Sequence, residues 1–155
     1  MTTQVTRSGD RELVITRRFN APRAQVFDAF THPEWVKRWL HGPEGWTLET
    51  CEIDLQKGGA FRYQWRGDKG EVMGMSGRFL SVDRPEKTVH TEIFDEDWTG
   101  GETRVTTAYF EEGQGTRVEM TILYASLEVR EGAIESGMAD GMEASFAALE
   151  ATLIQ

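Results

Sequence analysis

The side chains best placed to do chemistry lie in the run Thr88-Val-His-Thr-Glu-Ile-Phe94. A strand repeats every two residues, so Thr88, His90, Glu92 and Phe94 share one face, and Val89, Thr91 and Ile93 share the other. Positions i and i+2 lie about 7 Å apart along a strand, close enough for His90 and Glu92 to contact one small molecule. An imidazole beside a carboxylate can hold the polar head of a ligand or move protons as acid and base. Recognition of a polar group is the smaller claim. The strand's own pattern favours the opposite orientation, with the valine face inside and His90 and Glu92 in water.

Other chemistries find no support in the spacing. His32, His41 and His90 lack paired ligand spacing, and Cys51 stands alone, so no metal site is expected. No phosphate-binding loop, no Gly-x-Gly-x-x-Gly opening a helix and no Gly-x-Ser-x-Gly elbow occurs, and no cofactor is expected. Whether the chain is an enzyme stays open at this point.

The composition narrows the class. The 155 residues carry 17 Lys+Arg and 26 Asp+Glu, a formal net charge of -9. The excess is uneven: 12 basic residues face 10 acidic ones up to Arg78, and 5 face 16 beyond it. This acidity argues against nucleic acid and reads as a solvated, solubilising surface. No uncharged apolar stretch approaches the roughly 20 residues needed to span a bilayer. One cysteine makes no internal disulfide, and Met1 to Phe19 lacks a signal-peptide core, so a cytoplasmic location is expected. The length suits a single domain over residues 1–155.

The elements that must position His90 and Glu92 follow from periodicity. Leu13, Ile15 and Phe19 mark a first strand. Asn20-Ala-Pro22 opens a short helix carrying Val26, Phe27, Ala29 and Phe30, with Asn20 as the expected cap. Thr31-x-x-Glu34 reads as a capping box for a second short helix bearing Trp35, Val36, Trp39 and Leu40. From Trp46 to Tyr124 the period is two, and turn signals divide it into about six strands of a meander. After Ser126, Ile134, Met138, Met142, Phe146, Leu149 and Leu153 form the stripe of one long helix. Beside it runs a stripe of small residues, Ala133, Gly137, Gly141, Ser145, Ala148 and Thr152, which fits either close approach of the sheet backbone or space left for a ligand.

This order of elements resembles the helix-grip fold of the SRPBCC superfamily, also called START or Bet v 1-like. Four segments are similar to its branch related to the activator of the heat-shock protein 90 ATPase: Arg17-Arg-Phe-Asn-Ala-Pro22 leading to Val26-Phe27, Trp39-Leu-His-Gly-Pro43, Asp54-Leu-Gln-Lys-Gly-Gly59 before Phe61-Arg-Tyr63, and Gly115-Thr-Arg-Val118. The resemblance implies an α+β domain, with a curved antiparallel sheet of about seven strands, two short helices and a long C-terminal helix gripped around an internal cavity. In that family the strand after Pro-Glu usually carries large apolar residues at the positions of Thr88, His90 and Glu92. Alignment from Pro85-Glu86 therefore turns the polar set toward the cavity, where this chain departs from the family pattern.

The remaining candidate lining is Phe61, Tyr63, Trp65, Met73, Met75, Phe79, Val105, Thr107, Tyr109, Met120, Ile122 and Tyr124 from the sheet, with Met138, Met142 and Phe146 from the helix. Methionines suit an adaptable apolar pocket, and Tyr and Trp add polar tips that orient a ligand. Trp98 is expected either to cover the entrance or to anchor its turn. The expected function is binding of a small, largely apolar or amphipathic molecule with a polar end. The alternatives are a cyclase- or hydrolase-type enzyme using Glu92 and His90, and a co-chaperone acting through its surface. The last is weakened by a single domain without the further chaperone-binding domain expected of a full activator. A homodimer is compatible with the sequence.

Overall fold

The computed structural model of the chain describes residues 3–42, 44–96 and 101–153. Eight antiparallel strands form one sheet in the order β1-β2-β8-β7-β6-β5-β4-β3. They are β1 (Gln4–Ser8), β2 (Glu12–Phe19), β3 (Trp46–Ile53), β4 (Ala60–Gly67), β5 (Val72–Asp83), β6 (Lys87–Phe94), β7 (Thr103–Glu112) and β8 (Gly115–Leu123). Between β2 and β3 run α1 (Arg23–Thr31) and α2 (Pro33–Trp39), and α3 (Leu127–Glu135) and α4 (Met138–Leu153) close the chain. The α+β helix-grip architecture is present, and the six-strand meander from β3 to β8 falls where the two-residue period places it.

The sheet has eight strands rather than seven. The extra one, β1, pairs with β2 from Gln4 opposite Thr16 to Ser8 opposite Glu12. As an edge strand it exposes most of its side chains, so its composition carries no alternating apolar signal. The C-terminal helix is two helices. Gly137, at φ +85°, adopts the left-handed conformation that ends α3. Ser136 N donates to Gly132 O at 3.0 Å and Gly137 N to Ile134 O at 3.2 Å, which closes the turn. The apolar stripe continues across the break, which is why periodicity does not reveal it.

Both expected caps are also different. The N-cap of α1 is Pro22 and that of α2 is His32, and neither uses a side chain. Thr31 instead donates its hydroxyl to Phe27 O at 2.7 Å, and Asn20 N donates to Glu150 Oε2 at 3.1 Å. These groups tie α1 to itself and β2 to α4.

The helices leave the core in two clusters. One joins Leu13, Ile15 and Phe19 of β2, Val26, Phe27 and Ala29 of α1, Val105 and Tyr109 of β7, and Phe146, Leu149 and Leu153 of α4. Phe19 meets Phe30 and Phe146 edge-on, with ring centroids 5.9 and 5.7 Å apart. The second holds Val36 of α2 with Leu48, Cys51, Phe61, Trp65, Met75 and Phe79 of β3 to β5. Burial pushes the Cys51 thiol up to about 11, as an inert core cysteine requires. Gly77 lets the second cluster close, because a Cβ there would collide with the Thr91 carbonyl and the Phe61 ring.

Of the two readings of the small-residue stripe, close approach of the sheet fails at Gly141, where an added Cβ would meet no atom within 4 Å. Gly141→Ala is therefore expected to stabilise the domain by about 1 kcal/mol, the helix-propensity difference. Thermal melting checks this; a lower melting temperature would mean that sheet backbone meets α4 at this point.

Candidate functional site

Strand β6 lies between β5 and β7, and its phase is fixed by both neighbours. His90 pairs with Phe79 on one side and Val105 on the other, and Thr88 and Glu92 pair with Thr107 and Thr103. Phe79 and Val105 are both buried, so the strand turns Thr88, His90 and Glu92 inward. On the opposite face Ile93 is 41% exposed. The polar set faces the helices, against the strand's own hydrophobic pattern.

The two apolar clusters meet along this strand. Phe79 and Phe61 belong to one and Val105 to the other, and Thr88, His90 and Glu92 form a polar seam between them. Within the seam, His90 Nε2 lies 2.9 Å from Glu92 Oε2, with the side chains 15% and 23% exposed. The imidazole is fixed from the second cluster by Phe61, edge-on at 5.3 Å between ring centroids, and by Phe79 at 5.9 Å. With the Nε2 hydrogen donated to the carboxylate, the neutral ring leaves Nδ1 as an acceptor. That Nδ1 is buried and has no hydrogen-bond partner among the described residues. A buried polar atom left unpaired costs about 1–3 kcal/mol, so it marks a place where a partner would be stabilising.

The tyrosines around the seam are neutral. Burial, reinforced by the charge of Glu92, pushes the Tyr124 hydroxyl up to about 12. Burial raises Tyr63 further, with contributions from Cys51 and then Glu92, and raises Tyr109 likewise. Tyr124 donates its hydroxyl to Met138 Sδ at 3.7 Å.

The expected lining divides between the clusters. Phe61, Trp65, Met75 and Phe79 are buried in the second, and Tyr63 and Met73 pack against it. Val105, Tyr109, Ile122, Tyr124 and Phe146 are buried in the first, with Met120, Met138 and Met142 against it; Thr107 is buried beside Thr88. Trp65 differs from expectation in one respect: its indole N–H already donates to Leu40 O at 2.9 Å, so its polar tip is committed to α2 and the loop after it. Trp98 lies outside the described residues.

Sequence reasoning does not place Thr103, Leu40 or Leu55 at the site. The Thr103 hydroxyl lies 3.5 Å from Glu92 O, and Leu40 and Leu55 touch both clusters. Pairing β6 with β7 in register would have placed Thr103; Leu40 is legible only as the end of the α2 stripe, and Leu55 sits in a connection that carries no period. A cleft of about 230 Å³ lined by Arg11, Glu102, Thr103, Arg104, Leu123, Tyr124 and Ala125 opens at this end of the sheet. A wider cleft of about 850 Å³ lies away from the seam, between the start of α1 and the β7–β8 turn. No cluster of three or more His, Cys, Asp or Glu able to hold a metal occurs among the described residues.

Residues 20–154 match the family described as Activator of Hsp90 ATPase homolog 1-like protein. The chain belongs to this family. The match supports a ligand-binding or co-chaperone type of domain. A crystal structure of a protein from Rhodobacter sphaeroides is 32% identical, with a TM-score of 0.94 and 99% of each chain covered. A solution structure from Staphylococcus epidermidis is 25% identical, with a TM-score of 0.85, covering 98% of this chain and 94% of the other. A crystal structure from Mycobacterium smegmatis, 22% identical with a TM-score of 0.84 over 99% and 97% of the two chains, shows the fold alone. No curated protein matches the chain. No described helix is long and apolar enough to cross a membrane.

Proposed function

We propose that this Activator of Hsp90 ATPase homolog 1-like domain binds a small, largely apolar molecule with a polar end, seated between the sheet and the helices with its polar end at His90 and Glu92. The observation that carries this reading is the seam itself: an imidazole–carboxylate pair with an unpaired buried nitrogen, set between two apolar clusters. Such a pair is costly in a core that needs only to be packed, and it gains a purpose where a ligand completes its hydrogen bonds. A cytoplasmic location and a binding role without a cofactor agree with this reading.

Native mass spectrometry of protein purified from cells is expected to show a retained small molecule. Glu92→Gln keeps the shape and still accepts from His90, but removes the charge from the hydrogen bond. Binding is expected to weaken about tenfold, the worth of a charge-assisted bond of roughly 1.5 kcal/mol or more. If Glu92→Gln and His90→Ala both bind the identified molecule as tightly as the parent, the seam is not the binding site.

A second reading is favoured by one detail. A carboxylate on Nε2 with Nδ1 left over is the arrangement that orients an imidazole for proton transfer, so cyclase- or hydrolase-type chemistry predicts that Glu92→Gln loses turnover while affinity is largely kept. A co-chaperone role rests on the family match alone, and complex formation with a purified bacterial chaperone of the heat-shock protein 90 type tests it.

A further inference from the structure

The hydrogen-bonding inventory of the seam says which polar ends it accepts, an inference that rests on the binding reading above. Glu92 gives one oxygen to His90, and its other oxygen has no hydrogen-bond partner among the described residues. His90 gives Nε2 to Glu92, and its Nδ1 is unpaired. With the ring hydrogen on Nε2 alone, donated to Glu92, both free positions are acceptors. Tyr124, nearby, has committed its hydrogen to Met138 and offers oxygen lone pairs. The hydroxyls of Tyr63 and Thr107 donate or accept but bring no positive charge.

Among the described residues the two buried permanent cations, Arg17 and Arg130, are committed elsewhere, Arg130 to Gly9 O and Glu131. Arg17, on the inner face of β2, is held by Glu143 and Glu150, each at 3.2 Å. Arg11 and Arg104 are exposed at the rim of the smaller cleft beside Glu102. An anionic head brought to Glu92 would thus meet a like charge in a partly dry site with no fixed cation beside it among the described residues, which is strongly unfavourable. A hydroxyl or an ammonium would meet open acceptors.

We propose that the seam selects ligands whose polar end is a hydrogen-bond donor, a hydroxyl or an amine, and rejects carboxylates of the same apolar body. The test uses three probes of one size, 2-naphthol, 2-(aminomethyl)naphthalene and 2-naphthoate, titrated calorimetrically into the full chain at neutral pH. The alcohol and the amine are expected to bind at least about tenfold more tightly than the carboxylate. In Glu92→Gln, checked for folding by thermal melting, that ratio is expected to fall toward one. Naphthoate binding as tightly as naphthol overturns donor selectivity and leaves the binding reading in place. Selectivity that persists unchanged in Glu92→Gln overturns its assignment to this carboxylate. Failure of all three probes to bind overturns the inference together with the reading on which it rests.

Discussion

A chain ending before Met138 is expected not to fold. Helix α4 contributes Phe146, Leu149 and Leu153 to the first cluster, with Met138 and Met142 packed against it. Five large apolar side chains at about 1.5–3 kcal/mol each amount to roughly the whole stability of a domain this size. The loss is not confined to apolar area, since Glu143 and Glu150 leave with the helix and strand Arg17 on the sheet. Circular dichroism and thermal melting of the truncated chain check this, and a cooperative transition near the full-length temperature would show that the sheet does not depend on α4.

The second large effect is expected at Arg17, which is 4% exposed although it lies on the inner face of β2 between Ile15 and Phe19. Its guanidinium donates to Arg18 O at 2.9 Å and pairs with Glu143 and Glu150. Arg17→Met keeps the length of the side chain but leaves the two carboxylates facing an apolar group. Breaking a buried pair costs about 3–5 kcal/mol, and the partly exposed acids place this case near 3. The effect depends on pH. Partial burial alone would raise the Glu143 carboxyl, but hydrogen bonds from Thr3 and Arg17 outweigh it and hold it below the ordinary 4.5. A carboxyl lowered in the folded state stabilises above its unfolded value and loses that contribution as pH falls through the folded one. Denaturant unfolding should therefore show a wide gap between parent and Arg17→Met at pH 7 and a narrower one at pH 3. An unchanged gap would rule out the ion pairs as its source.

Arg17 also shows where a sequence stops being legible. Leu13, Ile15 and Phe19 announce the dry face of β2, and Arg17 shares their phase, yet nothing local says that two glutamates over a hundred positions away will receive it. The aromatic alternation of Phe61, Tyr63 and Trp65 and the meander turns among the described residues are local, and they read correctly. The break at Gly137 is masked because the apolar stripe resumes in phase on α4. For β6 the local pattern misleads: Val89, Thr91 and Ile93 look like the inner face, and only pairing with Phe79 and Val105 turns His90 and Glu92 inward. The resemblance to a family supplied that orientation because it carried the register of the neighbours. The separation of the core into two clusters lies beyond both, since it depends on which helix covers which half of the sheet.

The strand order has a consequence for how the chain closes. From β3 to β8 every strand pairs with its successor, so each pairing after the first spans only a short length of chain. Strand β2 is the exception: it joins β8, and Thr116 there binds Ala21 O across 95 positions. Loop entropy grows only slowly with length, but no short-range pairing prepares this junction, and such non-local contacts are the ones that slow folding. The neighbours that flank His90 and Glu92 in the sheet belong to the sequential part, whereas the first apolar cluster needs β2 and α4. The sheet can therefore assemble around the imidazole and carboxylate while they are still hydrated, and the cost of drying them falls on the last closure, when the remaining apolar surface is buried at the same time.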